Sequence, residues 1–200
     1  MKKLLFILFA FAGGFANAQI NTLVPGAAAP EFQLKNVDNK EVSFSSFPQA
    51  KGFILIFTCN TCPVAHAYEQ RVIELNEKFA PLGYPVIAIN PNDPDLASGD
   101  SFEKMKERAR SKKYAFPYLY DEGQVATNKY GARSTPHIFI VERTASGYVI
   151  QYTGAIDNDP QMDNPQRTKY VESAITALQN NTKPAVTSTK AIGCGVRRKA

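Results

Sequence analysis

A chain of 200 residues, 44% hydrophobic and 20% charged, is long enough for one domain with a real core. Its formal charge of +5 is unevenly spread: Lys2 and Lys3 open the chain, and Lys183, Lys190, Arg197, Arg198 and Lys199 crowd its end, which leaves the body about −2 by formal count. No basic face interleaved with aromatics supports a nucleic-acid surface, and no run beyond the opening segment is long enough to span a bilayer.

Met1-Lys2-Lys3, the apolar run Leu4 to Ala12, and Ala16-Asn17-Ala18 before Gln19 predict a secretory signal peptide over residues 1–18. The mature chain would then be periplasmic or secreted, in an oxidising compartment, with no membrane span after cleavage. The spacing divides it into one domain over 19–180 and a basic tail over 181–200 that carries Cys194.

Asn21 to Pro30 reads as a strap. Glu31 to Leu34 and Glu41 to Phe44 alternate with period two around the turn Asn36 to Lys40, which predicts a hairpin. Gly52 to Phe57 is continuously apolar, as in a buried central strand. Val64 to Phe79 carries apolar residues at helical spacing and stops at Pro81-Leu82-Gly83. A second buried strand spans Tyr84 to Ile89, and a turn spans Asn90 to Pro94. Asp100 or Ser101 caps a helix over Phe102 to Lys113. A short strand (Pro117 to Tyr120) and a short helix (Gln124 to Tyr130) follow. A hairpin over His137 to Val141 and Tyr148 to Tyr152, a polar loop over Asp157 to Pro165 and a last helix over Arg167 to Gln179 complete the body. From Asn180 the chain is polar, with no core contacts expected before Ile192. Parallel strands joined by helices and closed by an antiparallel hairpin make an α/β sandwich.

The chemistry concentrates at Cys59-Asn60-Thr61-Cys62-Pro63, where the apolar strand meets the helix. Two thiols at this spacing can close a disulfide, and helical N–H groups favour a thiolate, expected here on Cys59. A structural zinc half-site competes with this reading, but it needs four ligands, and only Cys194, His66 and His137 stand beyond the pair. A permanently closed disulfide also competes. Thr135-Pro136, just before the strand at His137, is a candidate cis peptide bond.

These features together resemble the thioredoxin superfamily. Phe57 to Glu69, Ala88 to Asp93, Phe116 to Glu122 and the terminal Ile192-Gly193-Cys194 resemble more closely its peroxiredoxin-like, thiol-specific-antioxidant-like (redoxin) branch. The resemblance implies a thioredoxin-like three-layer α/β/α sandwich with a central mixed sheet and an N-terminal hairpin extension. It implies that Cys59 matches the exposed attacking cysteine of thioredoxins. Cys62 matches their buried resolving cysteine and also the peroxidatic position of peroxiredoxins. Pro136 matches the cis-proline against the dithiol. The departures are specific. Cys59 and Leu55 stand where peroxiredoxins have Thr and Pro, and Arg133 is offset from their helper arginine. Thr58 and Phe53 stand where thioredoxins have Trp and a buried acid. Thr61 replaces a His common inside this branch's motif.

Catalytic residues are therefore expected at Cys59, Cys62 and Pro136, with Thr135, His66 and Cys194 as auxiliaries. His66, four residues after Cys62, would share its helix face and tune its thiol. His137 reads as structural. Cys194 would resolve an oxidised thiol or bridge a homodimer. No cofactor or metal is called for. The leading function is exported thiol–disulfide exchange through Cys59–Cys62, with a protein disulfide as substrate and a thiol reductant. Thiol-dependent peroxide reduction is the alternative. Copper binding through Cys59, Cys62 and His137 is a third reading, from a different class.

Overall fold

The computed structural model describes residues 21–199, so the expected signal peptide lies outside the described residues. Seven strands form one mixed sheet: β1 (Leu34–Asn36), β2 (Glu41–Val42), β3 (Gly52–Phe57), β4 (Val86–Asn90), β5 (Tyr118–Tyr120), β7 (His137–Thr144) and β8 (Gly147–Gly154). Their order is β2-β1-β5-β4-β3-β7-β8. β3 runs parallel to β4, and β4 parallel to β5. The β7–β8 hairpin closes one side antiparallel to β3. The N-terminal hairpin extends the other side through antiparallel pairing of β1 with β5. The remaining two strands, β6 (Ser134–Thr135) and β9 (Cys194–Gly195), pair only with each other.

Every residue of β3 is buried because both faces of the sheet are covered. Ile54 and Ile56 pack with residues of α1 (Pro63–Phe79), α2 (Phe102–Ser111) and α4 (Tyr170–Gln179), among them Tyr68, Val72, Met105 and Ile175. Phe53, Leu55 and Phe57 face the opposite layer, built from α3 (Val125–Tyr130), the strap and the aromatic cluster of Phe32 and Phe44. The alternation of a strand supplies both layers from one apolar run. This is the three-layer α/β/α sandwich with the N-terminal hairpin extension.

Of the two cap candidates for α2, Ser101 holds the N-cap position, while Asp100 is fully buried and faces back to the dithiol loop. Two expectations need correction. The last helix begins at Tyr170 rather than Arg167. Arg167 is drawn into an ion pair with Asp157 at 3.0 Å, and the Thr168 N–H donates to Asn158 Oδ1, so those residues stay in the loop. The tail also meets the body before Ile192. The Thr153 N–H donates to Thr187 O, and the Thr189 N–H donates to Thr153 O. β8 ends the sheet, and its outer backbone groups need partners: strap residues Gly26, Ala27 and Ala29 serve Tyr148 and Ile150, and the tail serves Thr153.

Candidate active site

Pro63 is the first residue of α1, and Cys62 is its N-cap. Proline suits that position because its missing N–H would have no helical partner and its φ is already helical. Cys62 is thereby held at the positive end of the helix. Cys59 lies one residue beyond the last β3 hydrogen bond, made by the Thr58 N–H to Ile89 O.

Thr135 brings the two thiols together. Cys59 Sγ lies 3.1 Å from Thr135 Oγ1, and Cys62 Sγ lies 3.1 Å from Thr135 O. The Thr135–Pro136 peptide bond is cis, as expected, and Pro136 is buried. Cys59 and Cys62 are 5% and 2% exposed, so neither is the open thiol expected at the first position. Cys59, Cys62 and Ala65 form one apolar cluster, with Val64 and the half-buried Cys194 packed against it. All three thiols are free.

The electrostatics favour charge on the second thiol, where the sequence had placed it on the first. Cys62 is held well below the usual thiol range. The Cys59 thiol hydrogen-bonds to it, the Cys194 thiol adds a second bond, and the Ala65 and Cys194 N–H groups add to these against the cost of burial. Cys59 is pushed far up by that same bond to Cys62, by burial, and by the negative charge of Asp100. Cys194 is raised to about 11 by burial and by its bond to Cys62. Donors therefore converge on Cys62, opposed by the Thr135 carbonyl, to which its protonated form donates.

The loop between the cysteines is held by a carboxylate that sequence reasoning did not assign to the site. Asp100 Oδ1 accepts from the Asn60 N–H at 2.5 Å and from Asn90 Nδ2 at 3.3 Å. Its Oδ2 accepts from Thr61 Oγ1 at 2.6 Å and from Asn92 Nδ2 at 2.8 Å. Four donors match the acceptor capacity of one carboxylate. The Tyr118 hydroxyl donates to Asn60 Oδ1, and Asn60 Nδ2 donates to Gly99 O. The asparagines of Asn90-Pro91-Asn92-Asp93 were the available signal, since a buried strand end rich in amides implies a polar centre beside it.

The histidines do not join the thiols. His66 is exposed, and its Nε2 hydrogen-bonds the Asn60 carbonyl. His137 is buried. Its Nδ1 accepts from the Arg133 N–H and its Nε2 faces Thr153 Oγ1 at 3.1 Å, and burial, then Arg133, lowers its pKa to about 4. Both ring nitrogens are engaged, so the third ligand of the copper reading is taken. Among the described residues no group of three or more His, Cys, Asp or Glu is placed to hold a metal ion.

A thiol pair at a strand-to-helix corner, with its second cysteine on the helix N-cap, is the arrangement on which comparison with known proteins bears directly. Residues 25–158 match the AhpC/TSA family. The chain belongs to that family. It is a thioredoxin-like oxidoreductase. The thiol-disulfide oxidoreductase ResA of Bacillus thuringiensis is 25% identical over 126 residues, covering 63% of this chain and 67% of ResA. Chloroplastic peroxiredoxin Q of Gentiana triflora is 25% identical over 157 residues, covering 74% of this chain and 67% of its own. Among solved structures, an uncharacterized conserved protein from Geobacillus kaustophilus superposes with a TM-score of 0.82 at 31% identity, over 90% of this chain and 94% of that one. This AhpC/TSA member thus resembles both a thiol-disulfide oxidoreductase and a peroxiredoxin, and the choice between them rests on its own site.

Proposed function

We propose that this chain is an exported thiol–disulfide oxidoreductase that exchanges electrons through Cys59 and Cys62. The observation that carries the reading is the placement of both sulfurs 3.1 Å from the two oxygens of one residue, Thr135. That placement supports a dithiol that closes against a strand end. The signal-like segment over residues 1–18 supports export. The Cys62 thiolate attacks a substrate disulfide, and a mixed disulfide forms as the other substrate sulfur leaves. Cys59 gives up its proton to that leaving thiolate and attacks Cys62 Sγ. The second substrate thiol is released, and the Cys59–Cys62 disulfide remains.

Peroxide reduction is the second reading, favoured by the charge on Cys62, which stands at the position that resembles the peroxidatic one. There the thiolate attacks O–O, a sulfenic acid forms, and Cys59 condenses with it, releasing water. The two are separated by giving the reduced chain (residues 19–200) insulin or hydrogen peroxide and following each reaction in Cys59→Ser and Cys62→Ser. Disulfide exchange lost in both variants, with slow peroxide consumption, is the expected result. Rapid peroxide consumption retained in Cys59→Ser would put the second reading first. Absence of both reactions in the unaltered chain would remove both.

A further inference from the structure

The ladder between β6 and β9 lies outside the seven-stranded sheet and contributes little to the core. What it does is position a thiol. Its register sets Ser134 opposite Gly195 and Thr135 opposite Cys194, and Thr135 is the residue that contacts both other sulfurs. The strand is clamped on its C-terminal side. The Val196 N–H donates to Arg133 O, the Arg197 N–H to Asn92 Oδ1, and Arg197 O accepts from the Asp93 N–H and from Gln124 Nε2. Close approach is enforced on the other side, because a Cβ at Gly193 would lie 2.1 Å from Thr135 O. The tail therefore fits against β6 only with glycine before the cysteine. Of the three thiols, the two in the motif are buried and the half-buried Cys194 is the most accessible.

We propose that Cys194 is a third redox thiol, which takes the disulfide over from Cys59–Cys62 and presents it to an external thiol reductant. The proposal rests on the dithiol reading above and adds the route by which the dithiol is regenerated. Cys194 loses its proton and attacks Cys62 Sγ of the closed pair. The Cys62–Cys194 bond forms and the Cys59–Cys62 bond breaks. Cys59, whose thiol is held far up, departs as it receives the proton from Cys194, so no free thiolate is left beside Asp100, and the exchange is isomeric and consumes no electrons. A dithiol reductant then attacks the accessible Cys194 sulfur, and Cys62 departs. Its charge is already stabilised at the start of α1, and a low-pKa thiol is the better leaving group. The reductant's second thiol closes its own disulfide and frees Cys194, and two electrons have entered the protein. The charge on Cys62 also times the exchange. While Cys62 is a thiolate it helps hold Cys194 protonated. Once Cys62 is bonded, that opposition is gone.

The test is disulfide mapping of residues 19–200 after one equivalent of diamide, with free thiols alkylated and peptides identified by mass spectrometry. Cys59→Ser is expected to close Cys62–Cys194 within the chain. The unaltered chain is expected to show both Cys59–Cys62 and Cys62–Cys194. In Gly193→Val the Cys62–Cys194 bond is expected to be lost while Cys59–Cys62 still closes. In Cys194→Ser, reduction by dithiothreitol is expected to slow. Fully alkylated Cys194 in oxidised Cys59→Ser, or Cys194 found only between two chains, would overturn the relay while leaving the dithiol reading intact wherever Cys59–Cys62 still forms. Failure of Cys59–Cys62 to form in the unaltered chain would remove both.

Discussion

Asp100 and Asp157 are both buried carboxylates, 0% and 2% exposed, and they are held in opposite ways. Asp157 Oδ2 pairs with Arg71 at 2.7 Å and Arg167 at 3.0 Å, while Arg71 also pairs with Asp159 at 2.7 Å. The Tyr68 hydroxyl completes the group by donating to Asp157 Oδ1. Two acids meet two bases, and the cluster fastens the loop before α4 onto α1. Asp100 is surrounded instead by neutral donors: one backbone N–H, one hydroxyl and two amides. Its charge is solvated but not cancelled, and it acts on Cys59, whose thiol it helps hold protonated. The first arrangement secures the fold. The second orders a reactive loop and also sets an electrical bias on it.

The strongest test of this contrast is Arg71→Met. Removing one partner of a buried ion cluster leaves charge without compensation, at a cost of roughly 3–5 kcal/mol. Chemical denaturation should show that loss while the thiol titration of the folded protein stays unchanged. A displaced thiol titration would mean that the two clusters are not separate in function.

Acid probes the same question from a group of opposite sign. The pKa of His137 is lowered to about 4 from 6.5, chiefly by burial and then by Arg133. The unfolded chain therefore binds the extra proton first. The contribution is whole above about pH 6.5 and is lost as pH falls toward 4, amounting to about 3 kcal/mol at full effect. His137→Gln should flatten stability against pH across that window. An unchanged slope would show that the ring is already charged in the folded state.

Asp100→Asn ranks next in stability and first in chemistry. It keeps the size of the side chain but turns an amide toward donors, at a cost of about 2 kcal/mol for the hydrogen bonds left unmade. The titration of Cys59, followed by thiolate absorbance in a Cys62→Ser background, should move down because a negative neighbour is gone. If Cys59 does not move, Asp100 is a staple like Asp157 and the proposed distinction fails.

These two carboxylates also mark what sequence could and could not convey. Apolar runs such as Gly52 to Phe57 announce themselves because both faces of a central strand must be buried, and Cys59 with Cys62 announce a dithiol by spacing alone. Asp100 was legible only as a cap, since a single acid before a helix fits that role. Its true partners lie 8 to 40 residues away in sequence. The electrostatic preference for Cys62 was not legible because the helix starts at Pro63, which makes the second cysteine the cap. The β6–β9 ladder was invisible because two-residue strands leave no periodicity, and only the glycines flanking Cys194 hinted at a close approach.

His66 supplies the smallest and most selective test. Spacing places it one turn beyond Cys62, where a charged ring would rival Asp100 in setting the thiols. The ring is instead exposed and turned to the Asn60 carbonyl, so it touches the loop that Asp100 orders rather than either sulfur. His66→Ala should change stability by no more than about 0.5 kcal/mol, as for an exposed substitution. The midpoint of the Cys62 thiolate, read by absorbance or by the pH dependence of alkylation, should stay where it is. Should that midpoint rise, the imidazole contributes to the Cys62 charge after all. The bias on the dithiol would then come from two sides, with Asp100 keeping the proton on Cys59 and His66 drawing it from Cys62.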